Sequence, residues 1–274
     1  MKKLFLVMVT ALCLTSCYSQ GRQGDVIIHT DLGDMVVVLY DETPQHKENF
    51  LKLAGEGYYD SLLFHRVIKD FMVQGGDPNS KNAKPGVQLG NGGPDYTIEA
   101  EFVPKYIHKK GALAAARQGD NVNPQKRSSG SQFYIVQGKT YNDAQLEQMN
   151  NSREQARVQD IFSQFINRPE NSQYLQQLID AQHANDQKAY SDVIREIEPI
   201  IMNEHKKDSS WMLTPEQIEI YKTVGGTPFL DTQYTVFGEV IEGLDVIDKI
   251  AAVQTDRSDR PVKDVKMWME IVKK

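Results

Sequence analysis

Two short apolar stretches, residues 64–68 and 71–77, constrain the fold and chemistry of this chain most strongly. Side chains of a β-strand alternate between its two faces, so Met72 and Gln74 share one face of the second stretch. Arg66 lies at the centre of the first stretch. The two stretches therefore predict strands that bring one arginine and one glutamine to a common apolar surface. The alternative interpretation is that the apolar residues are ordinary core and that Arg66 is a solvated charge.

Short strands separated by turns rich in glycine and proline occupy most of the remaining chain. Residues 26–30 and 35–40 are β-branched runs joined by residues 31–34, which predicts a hairpin. Thr43 and Pro44 predict the start of a helix, with Thr43 as its N-cap. The whole pattern is typical of a mainly β protein, a barrel of about eight antiparallel strands with a helix closing each end. Further strands are predicted at residues 63–68, 72–74, 97–99, 112–116, 132–136, 234–240 and 265–272, and a second helix at residues 244–253.

Residues 139–227 interrupt this pattern of strands. The stretch is rich in Gln, Glu, Asn and Lys, and its apolar residues recur at helical spacing. Thr214 and Gln217 have the spacing of a capping box, which predicts a short helix near the end of the stretch. We predict a helical insertion at 139–227 that divides one β domain, formed by residues 25–138 and 228–274.

The beginning of the chain predicts an export signal. Two lysines precede an apolar run at residues 4–12, which is far shorter than the ~20 residues that a membrane-spanning helix needs. Residues 14–17 match the bacterial lipoprotein box, which predicts a signal peptide at 1–16 and lipid attachment to the Cys17 thiol. A buried thiol is the alternative for Cys17. We expect a lipid-anchored protein of the bacterial cell envelope, facing the periplasm, with residues 17–24 as the linker.

Charge and composition limit the partners of this chain. Its formal net charge is −6, and it becomes −8 once the signal peptide is removed with Lys2 and Lys3. An acidic chain is not attracted to nucleic acid or to anionic lipid, so we expect membrane attachment through the lipid on Cys17. Cys13 is removed with the signal peptide, so no disulfide is expected. The histidines lack the spacing of metal ligands, and we expect neither a metal nor a cofactor.

Three further motifs lie downstream of the first two stretches. They are Ala-Arg at residues 116–117, Gly-Ser-Gln-Phe-Tyr-Ile at residues 130–135, and a segment at residues 229–238 that begins Phe-Leu-Asp. Together with residues 64–77, these motifs resemble those of the cyclophilins, a family of peptidyl-prolyl cis-trans isomerases. The resemblance implies a closed eight-stranded antiparallel barrel with two capping helices. It also implies proline-containing unfolded or partly folded proteins as substrates, and cyclosporin-like peptides as inhibitors.

The resemblance also implies roles for individual residues. Arg66 corresponds to the catalytic arginine, and Gln74 corresponds to the glutamine that orients it and contacts the substrate carbonyl. Tyr134 stands where phenylalanine is usual, so its hydroxyl group needs a partner. Phe229 stands where tryptophan or histidine is common. The residues that the resemblance assigns to substrate binding are His65, Phe71, Met72, Ala116, Arg117, Gln132, Tyr134, Phe229, Leu230 and Tyr234.

An arginine suits this reaction for a physical reason. The barrier to rotation about a peptide bond, ~18–20 kcal/mol, is the loss of amide resonance as the bond twists. In the twisted state the prolyl nitrogen regains a lone pair, so a fixed hydrogen-bond donor beside it stabilises the transition state selectively. Arginine is always protonated and donates in several directions. We therefore expect Arg66 to lie beside an apolar pocket for the proline ring.

Two other functions remain open from the sequence alone. One is a holdase chaperone of the envelope that uses the helical insertion, and the other is a proline-peptide binding module without turnover. Arg66 and Gln74 favour the enzyme, because a scaffold has no need for a donor beside a proline pocket. Aromatic residues of the insertion either hold an unfolded chain or pack the helices on one another; they are Phe162, Phe165, Tyr190 and Trp211.

Overall fold

The computed structural model describes residues 24–273, which form a β-sheet region and a group of helices. The predicted hairpin is confirmed, because β1 (Val26–Thr30) pairs antiparallel with β2 (Gly33–Leu39). In its turn, the Thr30 hydroxyl donates to the Gly33 carbonyl at 2.7 Å. The remaining strands are β3 (Leu62–Leu63), β4 (Arg66–Ile68), β5 (Met72–Gly75), β6 (Thr97–Ile98), β7 (Ala112–Ala115), β8 (Ser128–Ser129), β9 (Phe133–Val136), β10 (Val236–Glu242) and β11 (Lys266–Ile271).

Nine of these strands form one curled antiparallel sheet, in the order β3-β11-β1-β2-β10-β7-β9-β5-β4, and β6 pairs with β8 separately. The prediction of a closed eight-stranded barrel is wrong, because β3 and β4 are edge strands that do not pair with each other. Both come from the single strand predicted at residues 63–68. Between them, the Phe64 N–H donates to the Val265 carbonyl at 2.9 Å. The Val67 N–H donates to the Asp259 carbonyl at 2.8 Å, so a C-terminal loop covers the gap in this half-barrel.

The main core lies between the sheet and two helices, α1 (Pro44–Gly55) and α6 (Leu244–Ala251). At its centre the ring of Phe50 meets the edges of Phe133 and Phe237, with ring centroids 5.5 Å and 5.4 Å apart. Burying an aromatic side chain of this size contributes about 1.5–3 kcal/mol. This core therefore holds α1 firmly on one side of the sheet.

The first turn of α1 is capped from elsewhere in the chain. The helix starts after Thr43, as predicted, but the Thr43 side chain makes no capping hydrogen bond. Its hydroxyl donates instead to the Tyr40 carbonyl at 3.2 Å. The Glu101 carboxylate accepts from the backbone N–H groups of Gln45 and His46, both at 3.1 Å. Because a carboxylate also complements the positive end of the helix dipole, Glu101 replaces the predicted cap.

Four helices follow β9 and precede β10: α2 (Asp143–Ile166), α3 (Ser172–His183), α4 (Gln187–His205) and α5 (Pro215–Thr223). The predicted capping box of α5 is confirmed, because Thr214 accepts from the Gln217 N–H and the Gln217 side chain accepts from the Thr214 N–H. We call α2 to α5 the helical segment, and the strands with α1 and α6 the sheet region. Phe165 is buried in the helical segment, where it packs with Ile197 and Ile201.

The signal peptide, Cys17 and most of the linker predicted at residues 17–24 lie outside the described residues. Among residues 24–273, no helix combines the length and the apolar character needed to cross a membrane. The anchoring of the chain through Cys17 therefore stays a prediction.

Candidate active site

A cavity of about 120 Å³ opens beside strands β4, β5 and β9 of the sheet region. Every residue that lines it belongs to the set of site residues predicted from the sequence. The structure therefore brings nine of those twelve residues to one place. The lining residues are Arg66, Phe71, Met72, Gln74, Ala116, Arg117, Tyr134, Leu230 and Tyr234.

The register of the sheet explains this convergence. Arg66 of β4 lies opposite Gln74 of β5, and Gln74 lies opposite Tyr134 of β9. Tyr134 in turn lies opposite Ala114 of β7. Residues that lie directly opposite each other on antiparallel strands point to the same face of the sheet. One row across four strands thus places the arginine, the glutamine and the tyrosine on a single face.

The base of the cavity is apolar and closed to water. Met72 and Tyr134 are buried, and they belong to an apolar cluster on the face of the sheet opposite the main core. Phe71 and Leu230 pack against this cluster from the rim. Such a surface favours an apolar ring and excludes water, which strengthens the interactions of any polar group at its edge.

Arg66 is held at the edge of the cavity by a chain of side-chain amides. Its Nη1 donates to Gln74 Oε1 at 3.5 Å, and Gln74 Nε2 donates to Gln132 Oε1 at 3.0 Å. Gln132 Nε2 donates to the carbonyls of Gly90 and Gly92, at 2.9 Å and 2.7 Å. Because the carbonyls of Gly90 and Gly92 can only accept, the Gln132 side chain must direct its NH₂ group at them and its oxygen at Gln74. The Gln74 side chain must then direct its NH₂ group at Gln132. The oxygen of Gln74 therefore faces the guanidinium group.

The Arg66 guanidinium group is also balanced by a carboxylate. Its Nε lies 3.6 Å from Asp259 Oδ2, and both side chains are exposed, by 42% and 44%. An exposed pair of this kind contributes about 0–1 kcal/mol and is readily broken. Arg66 is consequently oriented by neighbouring groups while part of its surface stays available to a ligand.

A second arginine forms another wall of the cavity. The guanidinium group of Arg117 lies over the Tyr234 ring, 4.6 Å from its centroid. Arg117 Nε donates to the Gln233 carbonyl at 2.8 Å, and Nη1 contacts Asp120 Oδ1 at 2.5 Å. Its side chain is 5% exposed, so these contacts hold it in place with little surface open to a ligand. Arg117 is therefore a structural wall, and Arg66 is the arginine with a free surface.

The extra hydroxyl group of Tyr134 has a buried partner. It lies 2.9 Å from His108 Nε2, and His108 Nδ1 lies 3.0 Å from Asp231 Oδ1. Burial raises the pKa of Tyr134 well above its usual value, so the phenol keeps its proton. These contacts are satisfied together when Tyr134 donates to Nε2 and Nδ1 donates to Asp231.

Asp231 joins the cavity wall to the helical segment. Besides His108, its carboxylate accepts from the Tyr221 hydroxyl of α5 at 2.8 Å and from Arg153 Nη2 of α2 at 3.1 Å. Arg153 Nη2 also donates to the Pro228 carbonyl. Asp231 is buried, and a buried carboxylate is stable only when donors surround it. We call the set Tyr134, His108, Asp231, Arg153 and Tyr221 the buried network.

Three predicted site residues lie outside the cavity lining. His65 is 3% exposed and sits on the strand face opposite Arg66, where burial lowers its pKa to about 4. Gln132 is buried and contacts the lining residues Gln74, through its side chain, and Ala116, through its backbone carbonyl. Phe229 is 54% exposed, with its ring 5.7 Å from that of Phe71, and it borders a second and larger cavity.

Sequence reasoning missed the roles of four residues: His108, Arg153, Tyr221 and Asp231. Asp231 lay within a recognised motif, but His108 and Arg153 are 123 and 78 residues away from it in the chain. No local sequence pattern predicts a contact between residues so far apart in the chain. The one available signal was the hydroxyl group of Tyr134, which required a partner. Within residues 24–273, no group of three or more His, Cys, Asp or Glu side chains is arranged to hold a metal ion.

Known proteins resemble both the sequence and the fold. The family model for "Cyclophilin type peptidyl-prolyl cis-trans isomerase/CLD" matches residues 25–198 and 204–270. A Staphylococcus epidermidis protein named "Putative peptidyl-prolyl cis-trans isomerase" is 33% identical over 251 residues, covering 90% of each chain. A protein of the same name from Staphylococcus haemolyticus is 32% identical over 248 residues, covering 90% of this chain and 89% of that one. These matches include most of the helical segment.

Solved structures agree on the fold. A cyclophilin-type peptidyl-prolyl cis-trans isomerase of Cryptosporidium parvum superposes with a TM-score of 0.51 at 19% identity, covering 92% of this chain and 98% of that chain. The same protein in the presence of the dipeptide Ala-Pro gives a TM-score of 0.50 at 18% identity, covering 91% and 99%. The family match, the relatives and the fold lead to one conclusion: this chain belongs to the cyclophilin-type peptidyl-prolyl cis-trans isomerases, enzymes that interconvert cis and trans X–Pro bonds.

Proposed function

We propose that the chain accelerates X–Pro isomerisation during the folding of exported proteins, with Arg66 as the group that stabilises the twisted amide. The observation that carries this proposal is the position of Arg66. Its guanidinium group is partly exposed at the edge of an apolar cavity, and Gln74 orients it.

The cavity and the arginine would act on different parts of the substrate. The proline ring would enter the apolar space against Met72 and Tyr134, where water is excluded. Arg66 would then donate to the prolyl nitrogen, which is a useful acceptor only when the amide is twisted. Gln74 would position Arg66 and contact the substrate carbonyl through its exposed edge. Because the hydrogen bond from Arg66 to the prolyl nitrogen strengthens only in the transition state, it would raise kcat rather than merely lower KM.

Replacing Arg66 tests this mechanism. Arg66→Ala should lower kcat/KM for a proline tetrapeptide by roughly 100- to 1000-fold, about 3–4 kcal/mol of transition-state stabilisation. Arg66→Lys should recover little of it, because lysine keeps the charge and loses the planar fork. The matched control is Arg195→Ala, which removes an arginine that is 75% exposed on α4. Near-wild-type turnover by a folded Arg66→Ala variant would contradict the role of Arg66.

The site of action in the cell is a separate proposal. We propose that Cys17 carries the lipid and that the domain faces the periplasm, supported by the lipoprotein box at residues 14–17 and the apolar run before it. Cys17→Ser should release the protein from the membrane fraction without changing tetrapeptide turnover. A variant that stays bound to membranes after a salt wash would show that another surface provides the anchor.

Inhibition by cyclosporin-like peptides is proposed for the same cavity. Its support is the apolar lining by Phe71, Met72 and Leu230. Phe229 provides a smaller aromatic surface at the rim than tryptophan would, so binding should be weaker than in a Phe229→Trp variant. Equal inhibition of the two proteins would remove Phe229 from the inhibitor site.

A further inference from the structure

A second cavity, of about 1210 Å³, lies between α2 of the helical segment and the sheet region. We call it the α2 cleft. On the sheet side it is bordered by Phe71, Phe102 and the chain from Phe229 to Gln233. On the helical side it is bordered by α2 and by the loop before α5. The α2 residues that line it are Gln145, Gln148, Met149, Ser152, Arg153, Ala156, Arg157 and Asp160.

The α2 cleft adjoins the cavity of about 120 Å³ beside Arg66, which we call the proline cavity. Phe71 lines both. The segment that returns from the helices also serves both, because Leu230 and Tyr234 line the proline cavity whereas Phe229, Asp231 and Gln233 line the cleft. A chain whose proline occupies the small cavity can therefore reach the cleft along this segment.

Hydrogen bonds to Gln233 hold the wall between the proline cavity and the α2 cleft in place. Arg117 of the proline cavity donates to the Gln233 carbonyl at 2.8 Å, and Lys126 of the cleft contacts Gln233 Oε1 at 2.5 Å. Arg117 and Lys126 belong to the loop between β7 and β8. The wall that separates the two cavities is thus a fixed part of the structure.

The α2 cleft exposes apolar surface without an excess of charge. Phe229 and Phe102 are 54% and 37% exposed, and Met149 and Trp211 lie on the opposite side. Its charged groups are largely paired within the protein: Arg153 bonds to Asp231, and Arg157 bonds to Asp160 and lies near Asp208. Exposed aromatic surface bordered by polar groups is typical of a binding site. Because the charges lining the cleft balance, they favour a polypeptide with both polar and apolar side chains over a strongly charged ligand.

We propose that the α2 cleft binds the segment of the substrate polypeptide that flanks the isomerised proline. This inference rests on the proposed function, because it extends the substrate of the same active site. A volume of about 1210 Å³ exceeds the range of about 300–1,000 Å³ found for small-molecule sites. An extended chain advances about 3.3–3.6 Å per residue, so several residues on one side of the proline fit along α2. The helical segment thereby makes an unfolded chain a better substrate than a short peptide.

Two peptides of matched sequence test this proposal. The first is a proline tetrapeptide, and the second carries six further residues, with apolar side chains among them, on the N-terminal or the C-terminal side of the proline. For the wild type, one of the extended peptides should have a KM about tenfold lower than that of the tetrapeptide, with kcat little changed. Binding should also change the fluorescence of Trp211.

A substitution on α2 then locates the effect. Ala156→Arg places a long side chain in the cleft from an exposed helical position, and it should abolish the KM difference between extended peptide and tetrapeptide. Gln155→Arg is the matched control. It adds the same side chain one residue earlier on α2, outside the cleft lining, and should preserve the difference.

The outcomes separate this inference from the proposed function. Failure of the wild type to turn over the tetrapeptide would overturn the proposed function itself. Turnover of the tetrapeptide with no KM advantage for either extended peptide would overturn the α2 cleft as a substrate site. An advantage that survives in Ala156→Arg would also overturn it, because the extra residues would then bind elsewhere.

Discussion

The sheet region and the helical segment differ in how their cores are built. The sheet region has one large core between the sheet and the helices α1 and α6, and a smaller apolar cluster on the other face of the sheet. The helical segment has two small clusters. One lies within α2, α3 and α4, around Phe165 and Ile197, and the other lies at the base, around Leu146 and Tyr221. A small core stabilises its surroundings less, so the two regions should differ in stability.

The base of the helical segment belongs to both regions. Its cluster includes Ile107, from the chain before β7, together with Tyr141 and Leu213. The buried network adds polar contacts at the same place, since Asp231 holds α2 through Arg153 and α5 through Tyr221. The comparison teaches that the helical segment is joined to the candidate active site at its base, whereas α3 and α4, at its far end, pack mainly on each other and on α2.

Removing Asp231 is the strongest test of this junction. Asp231→Ala removes the carboxylate that accepts from His108, Arg153 and Tyr221, and breaking a buried charge pair costs about 3–5 kcal/mol. Chemical denaturation should show this loss in both regions. Asp160→Ala removes a 51% exposed carboxylate of α2 and should cost less than about 1 kcal/mol. Equal stability of the two variants would mean that the network does not join the regions.

Core truncations should separate the two regions. Ile135→Ala in β9 and Ile197→Ala in α4 each remove a buried side chain, which costs about 2–5 kcal/mol. The first should abolish tetrapeptide turnover at a temperature at which the second retains it. Trp211 and Trp268 lie in different regions, so variants with a single tryptophan report each unfolding separately. Coincident unfolding curves in Ile197→Ala would show that the molecule is one cooperative unit.

Acid should act on the sheet region through His65. Burial lowers the pKa of His65 from its ordinary value of 6.5 to about 4. Between pH 6.5 and pH 4 the unfolded chain binds a proton on His65 that the folded protein does not bind. The free energy of unfolding therefore keeps its full value, as far as His65 is concerned, above pH 6.5 and decreases as the pH falls towards 4. The loss amounts to about 3 kcal/mol. His65→Phe should reduce the loss between pH 7 and pH 4 by that amount, and parallel profiles for the two proteins would exclude His65 as the cause.

The smallest effect on stability and turnover is expected from a change at Tyr134, the residue of the buried network that lines the proline cavity. Tyr134→Phe removes the hydrogen bond to His108, which contributes about 1 kcal/mol, and leaves the ring in the cavity wall. Turnover of the tetrapeptide should stay within about threefold of the wild type, since the hydroxyl group points away from Arg66 and into the network. A large loss of kcat would show that the junction with the helices controls the chemical step.

Local patterns in the sequence determined the elements that depend on neighbouring residues. The hairpin of β1 and β2 and the capping box of α5 are confirmed, because backbone geometry and short-range hydrogen bonds decide both. Strand alternation also correctly placed Met72 and Gln74 on one face of β5, where both line the same cavity. The motifs that resemble cyclophilins also named every residue that lines the proline cavity.

Tertiary structure alone decided the contacts between distant parts of the chain. Glu101 caps α1 from 55 residues away, although Thr43 has the favourable sequence position. The sheet stays open because loop carbonyls occupy the backbone donors of Phe64 and Val67. Asp231 meets Arg153 and His108 only after the helices have packed on the sheet. A hydrogen bond between residues far apart in the chain depends on where whole elements pack, and no local spacing in the sequence records that arrangement.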